Sequence, residues 1–227
     1  LIKRDVGKDV IFNFSSRDTN RLAAQMHLLG AQAMGLENVL VLQGDKLTTK
    51  DLSRMQDVND FKPTELVRSI QQMNHANDFK GLKLLSPTQF CIGVTADLDR
   101  ELEAEARLTH RKIEAGAQFL VTQAIYSADR VGSFHRQYMT ISGTELTLPI
   151  LYGVQIVVQG GLFFGELPKS IQRELEAGKS GSAIAIDLAR SFLEAGANAL
   201  YIIPPIMKGG DRDYATAGDV IRALRAG

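Results

Sequence analysis

The chain has no tryptophan, a single cysteine and only six prolines in 227 residues. One cysteine, Cys91, excludes an internal disulfide. Four scattered histidines and that cysteine show no metal-ligand spacing, so no metal is expected. Charge of either sign is not in excess: 26 Lys and Arg balance 26 Asp and Glu. That balance removes the electrostatic case for nucleic acid or an anionic membrane surface, and leaves open a local cleft for a small anion. No apolar run approaches the roughly 20 residues needed to span a bilayer. No basic segment followed by an apolar core opens the chain, so no signal peptide is expected, and the cytoplasm is the expected compartment.

What is present is a serial pattern. Six short apolar runs read as buried strands: Val10–Phe14, Val39–Leu42, Phe90–Val94, Gln118–Val121, Pro149–Val154 and Ala199–Ile203. They are continuous rather than alternating, as strands covered on both faces are. Amphipathic stretches lie between them: Thr19–Met34 with Asp18 as its N-cap, Pro63–Met73, Arg100–Ala115, Ala128–Tyr138, Ser182–Ala195 and Ala215–Leu224, with Pro168 opening a further helix over Lys169–Glu176.

Three junctions repeat nearly word for word: Met34-Gly35-Leu-Glu-Asn-Val-Leu-Val-Leu, Ala115-Gly116-Ala-Gln-Phe-Leu-Val and Ala195-Gly196-Ala-Asn-Ala-Leu-Tyr-Ile-Ile. Their glycines fall at 35, 116 and 196, which are 81 and 80 residues apart, or two units of about forty each time. Alternating βα units imply a parallel sheet with right-handed crossovers. The dinucleotide fingerprint Gly-x-Gly-x-x-Gly is absent after the first strand, which weakens an open doubly wound sheet. A (β/α)8 TIM-type barrel is the preferred closure. Six units are visible, and two more would add roughly eighty residues and reach the usual barrel length. Leu1 onward reads as the tail of an earlier helix. The expectation is therefore one barrel domain over 1–227 whose first two strands are missing.

In such barrels chemistry sits where strands end. Asn13, Ser15, Ser16, Arg17 and Asp18 follow the first strand, Gln43-Gly44-Asp45 the second, Thr95-Ala96-Asp97 the third, Thr122-Gln123 the fourth and Gln155 the fifth. Asp45 follows four apolar residues, so it is placed at the mouth, where a carboxylate accepts a ring N–H or steadies a cation. A helix cap or a solvated loop Asp is the competing reading. Gln123 ends an apolar strand, and its amide both donates and accepts, which suits a heterocycle edge or simply a backbone partner. Lys112, with His110 and Arg111, reads as a solvated helix face; Glu105 lies two turns back on the same face. Gly178-Lys179-Ser180 is not a phosphate loop, because the earlier glycine position holds Arg173.

Several segments together resemble the methylenetetrahydrofolate reductase family, in the form fused to a homocysteine methyltransferase. They are Ser16-Arg17-Asp18-Thr19-Asn20-Arg21, Gly35 through Gln43-Gly44-Asp45, Phe90-Cys91-Ile92-Gly93-Val94-Thr95-Ala96, Arg111-Lys112-Ile113-Glu114-Ala115-Gly116 through Thr122-Gln123, and Leu200 through Pro204-Pro205. The resemblance implies a flavin-dependent barrel enzyme of one-carbon metabolism and methionine biosynthesis. NAD(P)H reduces FAD, and the flavin reduces 5,10-methylenetetrahydrofolate to the 5-methyl form. It also implies roles. Asp45 is the catalytic residue and a substrate contact, and Gln123 bonds the pterin edge. Asn13, Gln43, Gly44, Asp45, Glu105, Arg111 and Lys112 stand on the FAD side, with Lys112 paired to its phosphates. A homo-oligomer or a methyltransferase partner is implied as well.

Departures from the family pattern are specific. Gln43 stands where an Arg is common, Asn13 where a His is common, and no Glu general acid is matched. Phe163 or Phe164 is the available folate-stacking aromatic. Two alternatives follow from these departures: a divergent member binding folate or NAD(P)H with weak or no flavin, and a non-catalytic barrel subunit of a methyl-transfer complex.

Overall fold

A computed structural model describes residues 1–226. Six strands alternate with helices: β1 (Ile11–Ser15), α1 (Arg21–Ala33), β2 (Asn38–Leu42), α2 (Thr49–Leu52), α3 (Pro63–Asn74), β3 (Cys91–Ala96), α4 (Leu102–Glu114), β4 (Phe119–Ala124), α5 (Asp129–Ser142), β5 (Ile150–Gln155), α6 (Lys169–Glu176), α7 (Gly181–Glu194), β6 (Ala199–Ile203) and α8 (Tyr214–Ala226). A π-helical turn, Ile2–Val6, precedes them. The strands lie in one sheet in chain order. Parallel registers run Ile11 to Asn38, Asn38 to Cys91 and Leu151 to Ala199. This is the α/β architecture of alternating parallel units expected from the repeat.

The chain resolves into two compact units that interleave in sequence. The first is Leu1–Thr95 with Leu108–Leu120; the second is Ala96–Arg107 with the chain from Val121 onward. In the first unit α3 packs on β2. Leu66, Ile70 and Met73 of α3, Val39 of β2, Leu28 of α1 and Ile92 of β3 are all fully buried there. Each such side chain contributes about 1.5–3 kcal/mol. In the second unit α7 packs on β5 and against α6 and α8. Ala124, Tyr126, Val157, Leu167, Ile171, Ile184 and Ile203 form one cluster under the loops that follow β4 and β5.

The repeated junctions take one conformation for one reason. Gly35, Gly116 and Gly196 have φ of +72°, +113° and +97°, the left-handed region that glycine enters without steric cost. Several helix starts fall one or two residues from the expectation, and the cap of the first helix differs. Asn20, not Asp18, caps α1, its side chain accepting from Ala23 N at 2.8 Å, because Asp18 is drawn away by Arg17. The short α2 was not expected; four residues carry too little periodicity to be read from sequence, although its Thr48/Asp51 capping box is a local signal. Among the described residues no helix is long and apolar enough to cross a membrane.

Candidate active site at the strand tips

In the first unit the tips of β1 and β2 are tied together. Ser16 N donates to Leu42 O at 2.9 Å, one step beyond the ladder. Ser15 Oγ donates to Gln43 O at 3.3 Å and accepts from Arg17 N at 3.2 Å. Gly44 has φ of +83°, and a Cβ there would stand 2.7 Å from Ser15 Oγ. Glycine is required at that turn both for the backbone angle and for the close approach. The Arg17 guanidinium closes the cluster: Nε donates to Asp18 Oδ1 at 2.5 Å, and Nη1 donates to the carbonyl of Asp45. The Arg17 hydrogen bond holds the Asp18 carboxyl below its usual range, and Asp18 in turn raises Arg17. The side chains of Gln43 and Asp45 are exposed at this tip.

The structure therefore gathers Gln43, Gly44 and Asp45 in one rigid turn. Asn13 lies two residues below the end of β1, exposed, in register with Leu40. Gln123 belongs to the second unit, one residue before the end of β4, and its side chain is exposed. Its main chain is fixed from both sides: Tyr201 Oη donates to Thr122 O at 2.7 Å, and Thr122 Oγ1 accepts from Gly153 N at 3.0 Å.

The face of α4 corrects the sequence reading. Lys112 is not solvated: it is 5% exposed, and its Nζ donates to Thr95 O at 2.6 Å, at the end of β3. Glu105 is buried as well, whereas Arg111 is exposed. A helix bearing His, Arg and Lys in a row looks solvated, but the 100° step between residues sends Arg111 outward and Lys112 inward. His135, on α5, lies 2.8 Å from Tyr152 Oη, and burial pushes its pKa down. Among the described residues no group of three or more His, Cys, Asp or Glu is arranged to hold a metal ion.

The second unit holds a cavity of about 970 Å³, lined by groups from the loops after β3, β4 and β5 and the helix starts that follow, among them Asp97, Asp99, Tyr126, Arg130, Phe163 and Lys169. Its size lies at the upper end of the range of small-molecule sites. Arg100 pairs with Asp97 at 3.2 Å. Burial raises the Asp99 carboxyl, with Arg130 opposing the rise and Asp97 adding to it. Burial, with a smaller contribution from Asp99, raises the Tyr126 phenol to about 12. Only Asp97 among these stood among the strand-tip residues read from sequence. The others lie several positions past their strands, where chain folding and not spacing decides what faces the mouth.

Parallel strands in chain order alternating with helices define a protein of the α/β class, in which chemistry sits at the carboxyl ends of the strands. The family model described as methylenetetrahydrofolate reductase matches residues 1–164. The chain belongs to the methylenetetrahydrofolate reductase family. It is 25% identical over 207 residues to a probable methylenetetrahydrofolate reductase (NADPH) of Caenorhabditis elegans, covering 84% of this chain and 29% of that protein. It is 25% identical over 160 residues to methylenetetrahydrofolate reductase 1 of Schizosaccharomyces pombe, covering 68% and 24%. The chain thus spans less than a third of these relatives' length. Among solved structures it is similar to an uncharacterized protein from Clostridium thermocellum that binds two copies of 5-methyl-5,6,7,8-tetrahydrofolic acid, with TM-score 0.51, 13% identity and 100% and 99% of the two chains covered. It is also similar to phosphonopyruvate hydrolase in complex with oxalate and Mg++, with TM-score 0.51, 12% identity and 98% and 66% covered.

Proposed function

We propose that the chain reduces 5,10-methylenetetrahydrofolate to 5-methyltetrahydrofolate in the cytoplasm, with NAD(P)H as hydride donor and FAD as carrier. The family match over residues 1–164 carries this reading. The exposed Asp45 on a pinned turn supports it. The residues present fit a flavin in part. Asn13, Gln43 and Asp45 offer exposed amide and carboxylate groups suited to a ring edge, and Arg111 offers an exposed cation to a phosphate. Lys112 is committed to the Thr95 carbonyl, so the phosphate role falls to Arg111. When bound, FAD supplies the two-electron transfer between nicotinamide and folate.

The chain's own residues bind and orient. The Asp45 carboxylate places negative charge beside the cationic iminium form of the folate, and the Gln123 amide donates and accepts at the pterin edge. The same reading takes residues 1–227 as one barrel domain. Asp45→Asn keeps the shape and removes the charge. It is expected to lower kcat for methylenetetrahydrofolate-dependent NAD(P)H oxidation by about 10²-fold, with the circular dichroism spectrum unchanged. Wild-type protein that neither contains flavin nor binds added FAD overturns the flavin assignment.

The uncharged residues at Asn13 and Gln43, and the engaged Lys112, favour a second reading: a relative that binds folate or NAD(P)H with weak or no flavin. Calorimetry with each ligand separately distinguishes the two, since tight FAD binding excludes the second.

A further inference from the structure

The loop from β5 to α6, residues 156–168, forms one wall of the second unit's cavity through Phe163, Gly165 and Leu167. A loop of this length needs partners for its main-chain groups, because they lie partly out of water. One buried side chain supplies two of them. Gln155, the last residue of β5, is 1% exposed. Its Oε1 accepts from Phe164 N at 2.9 Å and from Tyr126 Oη at 2.9 Å, and its Nε2 donates to Leu162 O at 2.9 Å. Tyr126 Oη also lies 3.1 Å from Phe164 O. On its other side the loop is stitched by Leu162 N, which donates to Ile206 O at 2.8 Å. Residues 162 and 164 are thus both clamped, and Phe163 between them stands 39% exposed on the cavity wall. At the next residue the wall meets Asp99: a Cβ on Gly165 would lie 3.4 Å from Asp99 Oδ2.

We propose that Gln155 is the positioning residue of this cavity, its buried amide clamping the β5–α6 loop so that Phe163 and Gly165 line the site together with Tyr126. A primary amide meets the geometry at any pH, since the clamp needs an acceptor for two donors and a donor for the Leu162 carbonyl in one planar group. Leucine offers neither, and an ionised glutamate lacks the donor. The clamp rests on the folate reading only for the identity of the ligand.

The test uses the full chain as wild type, Gln155→Leu, Gln155→Glu and Tyr126→Phe. Without ligand, the Phe164 amide is expected to exchange with solvent about ten-fold faster or more in Gln155→Leu, while the amides of α7 are unchanged. With 5-methyltetrahydrofolate as probe, calorimetry is expected to show Kd raised about ten-fold in Gln155→Leu. In Gln155→Glu the loss is expected near pH 8 and recovery toward pH 5, as the introduced carboxyl takes up a proton and regains a donor for Leu162 O. Gln155→Leu has no such recovery, and a merely space-filling role predicts none. Unchanged exchange at Phe164 overturns the clamp, and fast exchange with unchanged Kd overturns its role in binding. Wild-type protein that ignores 5-methyltetrahydrofolate overturns the folate reading instead, and the exchange measurement still decides the clamp. Should Gln155→Leu fail to fold, Tyr126→Phe and Gln155→Glu give the same two measurements.

Discussion

Gly93 in the middle of β3 shows how one missing atom sets a packing solution. A Cβ there would lie 2.1 Å from Phe119 Cζ and within 2.7 Å of two further ring atoms. The Phe119 ring, on the first residue of β4, fills the space that any side chain at 93 would take. It is 7% exposed and has no room to retreat. Gly93→Ala is therefore expected to cost about 1–3 kcal/mol, read as a lower melting temperature, and Phe119→Leu in the same chain is expected to recover part of it by vacating the ring's edge. Lys112 teaches the complementary lesson. Its long stem crosses the buried face of α4 so that the ammonium reaches a carbonyl at the end of β3; the residue type alone says surface, and its place on the helix says interior.

At the scale of elements, the helices are joined to the strands that follow by side chains as well as by glycines. Asn74, the last residue of α3, donates from Nδ2 to Phe90 O at 2.8 Å, and its Oδ1 accepts from Phe90 N at 2.9 Å and Thr88 Oγ1 at 2.7 Å. One amide thus fixes the entry to β3, in the way Gln155 fixes the exit from β5. Asn74→Ala removes three hydrogen bonds in a half-buried place and is expected to lower the free energy of unfolding by about 2 kcal/mol. Urea unfolding checks this, with the midpoint falling and the slope unchanged. A larger change in slope would mean that β3 itself had come loose.

At the scale of the whole molecule, buried titratable groups bound the pH range of stability from both sides. Burial lowers the His135 pKa from 6.5. The unfolded chain therefore takes up the proton first as pH falls, and the stability that neutral His135 contributes is present above about 6.5 and lost as pH drops through the depressed value. Burial raises the Tyr126 and Tyr201 phenols from 10.0 to about 12 and raises Tyr152 further. Their contribution is present below pH 10, where both states are neutral, and is lost as pH climbs toward 12 because the unfolded chain ionises first. The melting temperature is expected to form a plateau between these limits. His135→Gln is expected to flatten the acid limb alone, and an unchanged acid limb in that variant would assign the loss to other groups.

The sequence by itself determined the repeat: apolar runs too continuous for one-sided strands, and glycines at 35, 116 and 196 that end three of the helices in a conformation no other residue enters cheaply. These are local properties, carried by residue type and spacing, and they placed Asp45 at a strand tip without coordinates. Tertiary structure alone decided which polar residues are buried and which meet. Arg17 reaches Asp45 across 28 positions, and Gln155 reaches Tyr126 across 29. Contacts of that separation depend on how the loops fold back over the strand ends, and no periodicity in the chain encodes them.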